Sequence, residues 1–448
     1  MGKPDEFDPR LKAYLHRGAS TPPPVGMDAR IIGGAPRRKT GWALQVVAAA
    51  AVLVLAIGLG IVVQRARQSV GVTPTATPFA SPITKPTPYP TPTTSGAAYP
   101  LLPPASMHMI NKDTGWAAGS GTNRILRTMD GGSHWNDVTP RGAKAGTWIT
   151  FFLDANNAWL ASSVQPGSGS PDFSVVIYRT ADGGRSWQQV GTAGADQGWP
   201  ASMDFVDAAH GWLFMNLGSA AGSQGVAFFG TVDGGTTWTK LSEADTSGSQ
   251  GHLPLSCSKG LPVFLNNTTG WMPGACSSGG GPFFFVTRDG GRTCNDVRIA
   301  LPAGYSGPCM CAINSLRFSD PRFSTSRTGA FVLDLYGTDG APHDFIYYST
   351  DAGAHWWPGP MLPQNCFTAD FLTAAVGWTL DAKGNVILYT GDGGQHWSTL
   401  GTIPSSQGVM DFQFVNSAIG WALGSEPAGI TLIKTSDGGR TWTTQLAP

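Results

Sequence analysis

TMDGGSHW at 128–135 and TSDGGRTW at 435–442 are two copies of one eight-residue stretch. Five more lie between them: TADGGRSW at 180–187, TVDGGTTW at 231–238, TRDGGRTC at 287–294, STDAGAHW at 349–356 and TGDGGQHW at 390–397. The acids fall at Asp130, Asp182, Asp233, Asp289, Asp351, Asp392 and Asp437, in steps of 52, 51, 56, 62, 41 and 45 residues. A period near fifty is the mark of a repeat architecture and takes precedence over any residue-level reading. Each part of the box has a job in a tight hairpin. The carboxylate accepts amide hydrogen bonds across the turn, with a Ser or Thr two places earlier to brace it, and Gly supplies the positive φ of the turn. The closing Trp (Trp135, Trp187, Trp238, Trp356, Trp397 and Trp442, with Cys294 in the fourth copy) is expected to bury its ring between repeats.

A second mark precedes each box. DTGW ends at Trp116, NNAW at Trp159, AHGW at Trp212, TTGW at Trp271, AVGW at Trp378 and AIGW at Trp421, with RTGAF at 327–331 as the degenerate copy. Short apolar runs lie ahead of these, such as ITFFL at 149, MDFV at 203, SLRF at 315 and MDFQF at 410. Each repeat therefore reads strand, turn, Trp-led strand, variable loop, strand, Asp turn, strand. Seven four-stranded antiparallel units with two faces to cover predict an all-β, seven-bladed β-propeller over 101–448. The repeats run in phase to the C-terminal strand, so the last blade supplies its own outer strand. Closure then rests on packing of blade 1 against blade 7, unless Tyr99 to Leu102 adds a further strand.

The region before the repeats has a different character. Residues 46–63 run without a polar side chain, and the stretch 42–63 is long enough to span a bilayer. It starts too late and ends too basically for a secretory signal peptide. Residues 1–41 carry eight Lys or Arg, including Arg37-Arg38-Lys39, and the positive-inside bias places that tail in the cytoplasm and everything after residue 63 outside. Residues 64–100 form a stalk rich in Pro and Thr, extended because Pro fixes φ and biases its predecessor. The expected location is thus the cell membrane, single-pass, with an extracytoplasmic propeller.

The boxes and GW strands resemble the bacterial neuraminidase repeat, or Asp-box, propellers. Among these they are most similar to the seven-bladed photosystem II assembly and stability factors, whose repeats pair F-x-D-x-x-x-G-W with T-x-D-G-G-x-x-W. The resemblance covers nearly all of 101–448 and implies an extracytoplasmic binding protein without enzymatic activity. The anchor and stalk depart from that family's pattern. Similar boxes occur in sialidases and xyloglucan-degrading enzymes, so fold alone carries no function.

Composition narrows the chemistry. The charges balance, 29 Lys plus Arg against 29 Asp plus Glu, which disfavours a nucleic-acid binder. Glu occurs only at 6, 243 and 426. The last two fall in loop-like segments, which leaves a sialidase without its Tyr-activating Glu, and no Arg-Ile-Pro-type motif precedes the boxes. The competing class is a glycoside hydrolase working with an Asp pair drawn from Asp196, Asp204, Asp334, Asp339 and Asp344, which are free of the boxes. His134, His355 and His396 occupy one place in three separate turns and do not converge on a metal, and no cofactor is expected. Binding of a protein or glycan is the reading that remains, at the face opposite the Asp turns, with Trp148, Trp199, Tyr305 and Trp357 as candidate contacts and Arg141, Lys144, Asp196 and His343 nearby. All six Cys lie on the external side, as disulfides require. Cys257 and Cys276 flank the Asn267-Thr268 turn almost symmetrically and are expected to pair. Cys366 has Cys309 or Cys311 as its candidate partner, and Cys294 is expected to stay a buried thiol.

Overall fold

The computed structural model describes residues 104–447, apart from 120–122, 144–145, 164–173, 195–197, 221–222, 246–247, 252, 256–257, 276–282, 304, 306–327, 337–341, 364–368 and 382. The tail, the span, the stalk, the strand expected at Tyr99 to Leu102 and five of the six cysteines lie outside the described residues. Among the described residues no helix is long and apolar enough to cross a membrane.

Seven antiparallel sheets follow one another along the chain, and four of them run in sequence order from a first strand to an outer fourth. Blade 2 shows the pattern plainly, with Thr147–Phe152, Ala158–Ser163, Val175–Thr180 and Gln188–Ala193 paired in that order. Blade 1 spans Pro104–Met109 to Asn136–Asp137, blade 6 Ala369–Phe371 to Ser398–Thr402, and blade 7 Val409–Phe414 to Thr443–Leu446. Blade 7 does supply its own outer strand. First strands of successive blades lie side by side, as Thr147–Phe152 does with Trp199–Phe205 and Val409–Phe414 with Pro104–Met109. The molecule is a seven-bladed β-propeller.

Three blades depart from the regular pattern. Blade 3, Trp199–Phe205 to Thr239–Asp245, gains a fifth strand at Gly248–Gln250 on its outer edge. In blade 4, two short pieces, Ser258–Lys259 and Val263–Phe264, share the first-strand role against Gly270–Ala275. Blade 5 shows three strands, Gly329–Tyr336, Pro342–Ser349 and Trp357–Met361; the run at 315 expected to lead it lies outside the described residues.

The core is divided among the blade junctions. Seven apolar clusters each join one blade to the next, from Trp116 with Leu160 at junction 1–2 to Trp421 with Met109 at junction 7–1. Alternation along the strands sends the GW tryptophan forward onto its successor's first strand, where it stacks on an aromatic from blades 1, 2, 3 and 6 and packs on Met109 from blade 7. Trp159 stacks on Phe205 with centroids 3.8 Å apart, Trp212 on Phe264 at 3.6 Å and Trp378 on Phe414 at 3.9 Å. Their indole N–H groups then reach the next blade's box. Trp159 donates to the Gly234 carbonyl, Trp212 to Gly290, Trp271 to Gly353, Trp378 to Gly438, and Trp421, closing the ring, to Gly131 at 2.8 Å. A buried indole N–H needs such an acceptor, so each contact couples apolar burial to orientation.

Blade 5 reaches the same end by another route. Register places Gly329 opposite Ser349, so Ala330 stands where the Trp would be and Tyr348 is its cross-strand neighbour. The Tyr348 hydroxyl donates to the Gly393 carbonyl of blade 6, the acceptor an indole would have used.

Candidate functional site

All seven Asp turns have one geometry. In the first, the Thr128 hydroxyl donates to Asp130 Oδ1 at 3.0 Å and accepts from the Gly132 amide at 2.9 Å; the His134 amide donates to Oδ1, and His134 Nδ1 meets Oδ2 at 2.6 Å. Asp182 is held likewise by Thr180 and Ser186, Asp233 by Thr231 and Thr237, Asp289 by Thr287 and Thr293, and Asp437 by Thr435 and Thr441. Asp351 and Asp392 repeat the His version with His355 and His396. The Ser, Thr or His four places after the Asp closes the second carboxylate oxygen. Sequence reading passed over it, although the signal stood in all seven copies. Both glycines of the first turn have positive φ, 72° and 94°, and Ala352 takes the first of these places in the fifth turn at 59°.

Hydrogen bonding fixes the charge state of these acids. Desolvation pushes the Asp351 carboxyl upward, but bonds from the His355 amide and ring and from the Ser349 hydroxyl outweigh it and bring it to about 2. The Thr441 hydroxyl and amide bring Asp437 to about 2, and the His396 amide and ring do the same for Asp392. A carboxylate held this way stays ionised and has both oxygens occupied, which unfits it as a general acid.

The box-closing residues all point back toward the preceding blade. Trp135 packs at junction 7–1, Trp187 at 1–2, Trp238 at 2–3, Trp356 at 4–5, Trp397 at 5–6 and Trp442 at 6–7. Trp187 Nε1 donates to the Val138 carbonyl of blade 1 at 2.6 Å, while Trp135, Trp238 and Trp442 cap the second-glycine carbonyl of their own turns. Cys294 occupies this place at junction 3–4 as a free, buried thiol, and burial pushes it up to about 12, with the Asp289 charge adding to the effect.

The four candidate binding residues divide between the two ends of the molecule. Trp148 and Trp199 begin adjacent first strands, both half-buried, and Tyr305 lies between blades 4 and 5, edge-on to Phe345 at 5.0 Å and to His343 at 5.9 Å. These three share the end opposite the Asp turns. Trp357 does not join them. It opens the outer strand of blade 5 directly after the box, 5.8 Å from His355, and is about half exposed. A box closes the turn between third and fourth strands, so a residue just after it must lie at the box end. Arg141 lies in the turn leading from blade 1 to blade 2, where the Gly142 carbonyl accepts from Tyr178 at 3.0 Å; Lys144 lies outside the described residues.

The alternative acids are also placed. Asp204 Oδ2 accepts the Phe264 amide at 2.6 Å, joining the first strands of blades 3 and 4. Asp370 does the same for Phe414 of blade 7, and Gln413 both accepts from the Met109 amide and donates to the Met109 carbonyl across the closing seam. Asp344 is buried, with Asp334 opposite it in register on the neighbouring strand, while Asp196 and Asp339 lie outside the described residues. Glu243 and Glu426, expected in loops, lie in the fourth strand of blade 3 and the second strand of blade 7. Among the described residues no group of three His, Cys, Asp or Glu side chains could hold a metal ion.

No protein-family profile matches the chain, and no curated protein matches it. Solved structures do. YCF48 bound to a D1 peptide is 18% identical, with 75% of this chain and 93% of that one covered and a TM-score of 0.45. The GH74 xyloglucanase from Xanthomonas campestris is 16% identical, covering 75% and 57%, with a TM-score of 0.34. A PL25 ulvan lyase is 10% identical, covering 77% and 92%, with a TM-score of 0.42.

Proposed function

We propose that this chain is a membrane-anchored, extracytoplasmic propeller that binds a protein or a glycan at the end opposite its Asp turns and acts as a non-enzymatic assembly scaffold. One observation carries this reading: the seven most regularly placed carboxylates each have both oxygens occupied by donors of their own turn. The acid that recurs in every blade is committed to holding the scaffold rigid, and half-buried aromatics at the opposite end offer contact area at low entropic cost.

The binding reading is tested with photo-crosslinking residues placed at Trp199 and, at the box end, at Met129, exposed in the box of blade 1, in the full-length protein in its own envelope. Adducts from position 199 and none from 129 support it. Hydrolysis of a sialoside or β-glucan by the purified protein would transfer the assignment to the glycoside hydrolases. Topology is tested separately. Protease added to intact cells should release most of the propeller by cutting the stalk, and mass mapping should find Cys257 joined to Cys276, each one residue outward from the paired Ser258 and Ala275.

A further inference from the structure

The junctions are not filled alike, and the difference points to a second binding site at the box end. At three of them the residue before the box hydroxyl is a long cation that covers its blade's GW tryptophan and reaches the next blade. Arg127 lies 4.3 Å from the Trp116 ring centroid and donates to the Ala155 carbonyl of blade 2. Arg179 lies 5.2 Å from Trp159, its guanidinium against Gly234 of blade 3. Lys434 lies 5.0 Å from Trp421 and points its ammonium at the Gly131 carbonyl of blade 1. The recurring receptor is an indole face beside main-chain carbonyls of the next turn, a favourable setting for a cation.

At junction 3–4 the cross-strand neighbour of Trp212 is Gly230. One face of Trp212 stacks on Phe264, and among the described residues no cation lies over the other. Leu241 takes part of the vacated room, since a β-carbon at Gly230 would lie 2.6 Å from its Cδ1. What remains is a groove of about 610 Å³ between the two blades, lined by Trp212, Gly230, Leu241, Asn267, Gly290 and Arg292 among others. The Asn267 carbonyl borders Gly290 as the Ala155 carbonyl borders Gly183 at junction 1–2. The basic side chains on its rim are already engaged: His210 on Asp207 at 2.8 Å, Lys240 on Glu243 at 3.0 Å, and Arg292 on the Asp289 carbonyl at 2.9 Å.

We propose that the groove between blades 3 and 4 receives a basic side chain, an arginine or lysine presented by a partner protein, in the place that three sister junctions fill with a cation of their own. The site is at the opposite end from the aromatics of the proposed function and does not depend on them.

The test uses the full-length chain in detergent and the blocked peptide Gly-Gly-Arg-Gly-Gly, titrated calorimetrically against its citrulline counterpart, which keeps the shape and loses the charge. The arginine peptide should bind roughly tenfold more tightly, the scale of a desolvated cation over an indole. Thr239→Lys, an exposed rim position, should weaken it by a similar factor through like-charge repulsion. Gly230→Arg combined with Leu241→Val copies the Arg179 and Val190 arrangement of blade 2 and should abolish binding by filling the groove from within. Equal affinity for the two peptides, no measurable binding of the arginine peptide, or unchanged binding by Thr239→Lys would each overturn the proposal. If the double variant does not fold, Thr239→Lys decides.

Discussion

Junctions 2–3 and 3–4 are built on the same eight-residue box, yet they close by different means. At junction 2–3 the box of blade 3 turns Trp238 back against Phe205, edge to face with centroids 6.1 Å apart, and the indole caps Gly235. At junction 3–4 the box of blade 4 offers only Cys294, and the chain between the blades makes good the loss. Its Gly251 carbonyl accepts the Cys294 amide at 2.9 Å, and Leu253 is fully buried in the cluster that holds Cys294, Phe264 and Met272. The box-to-box step into blade 4, 56 residues against 51 for the step before, includes the chain that does this. A repeat protein thus tolerates a lost anchor where a local insertion can supply an equivalent volume, because each blade packs only against its neighbours.

The largest expected effects test that equivalence. Trp238→Ala empties an anchor with no insertion behind it and should cost about 3–5 kcal/mol in chemical denaturation. Leu253→Ala should cost about 2–5 kcal/mol even though the residue belongs to a connecting segment, where truncation would ordinarily be mild. A Leu253→Ala variant as stable as the parent would show that the insertion does not stand in for the missing Trp. Next in size is the substitute in blade 5. Tyr348→Phe keeps the ring and removes the donor to Gly393, leaving a carbonyl at the junction without that partner. It should cost about 1–3 kcal/mol, more than the same change at a Tyr whose hydroxyl faces water.

The fold was legible because its signal is local. The hairpin needs Asp, Gly and a hydroxyl at fixed offsets, and seven in-phase copies leave little freedom in how the strands are counted. That blade 7 supplies its own outer strand could be read from the same phase. What could not be read are the interactions between blades. Asp204 looked available for catalysis because its partner, the Phe264 amide, lies sixty residues away. Tyr348 replaces a Trp from the opposite strand, and no spacing rule links it to Ala330. Trp357 was assigned to the wrong end because an aromatic next to a box was read as loop, whereas the strand following the box begins at that residue. The groove at Gly230 was hidden for the same reason: a single Gly in a strand has no meaning until register shows what faces it.

The smallest effect concerns the boxes themselves, and it asks whether they weigh alike. The folded carboxylates of Asp351, Asp392 and Asp437 sit at about 2, below their ordinary value of 3.8. The stability they contribute is therefore fully present above the unfolded value and is lost as pH falls through the folded one. Acid unfolding should be concentrated between about pH 4 and pH 2. Asp437→Asn removes one titrating group while keeping an oxygen for the Thr441 amide, so its loss of stability over that interval should be shallower than the parent's by one proton's share. Asp392→Asn should behave the same, because the His396 ring takes the place of the Thr441 hydroxyl at the second oxygen. A variant of either box whose acid limb superimposes on the parent's would mean that its carboxylate is held no more tightly in the fold than in the unfolded chain, and a difference between the two would separate the His-closed turns from the hydroxyl-closed ones.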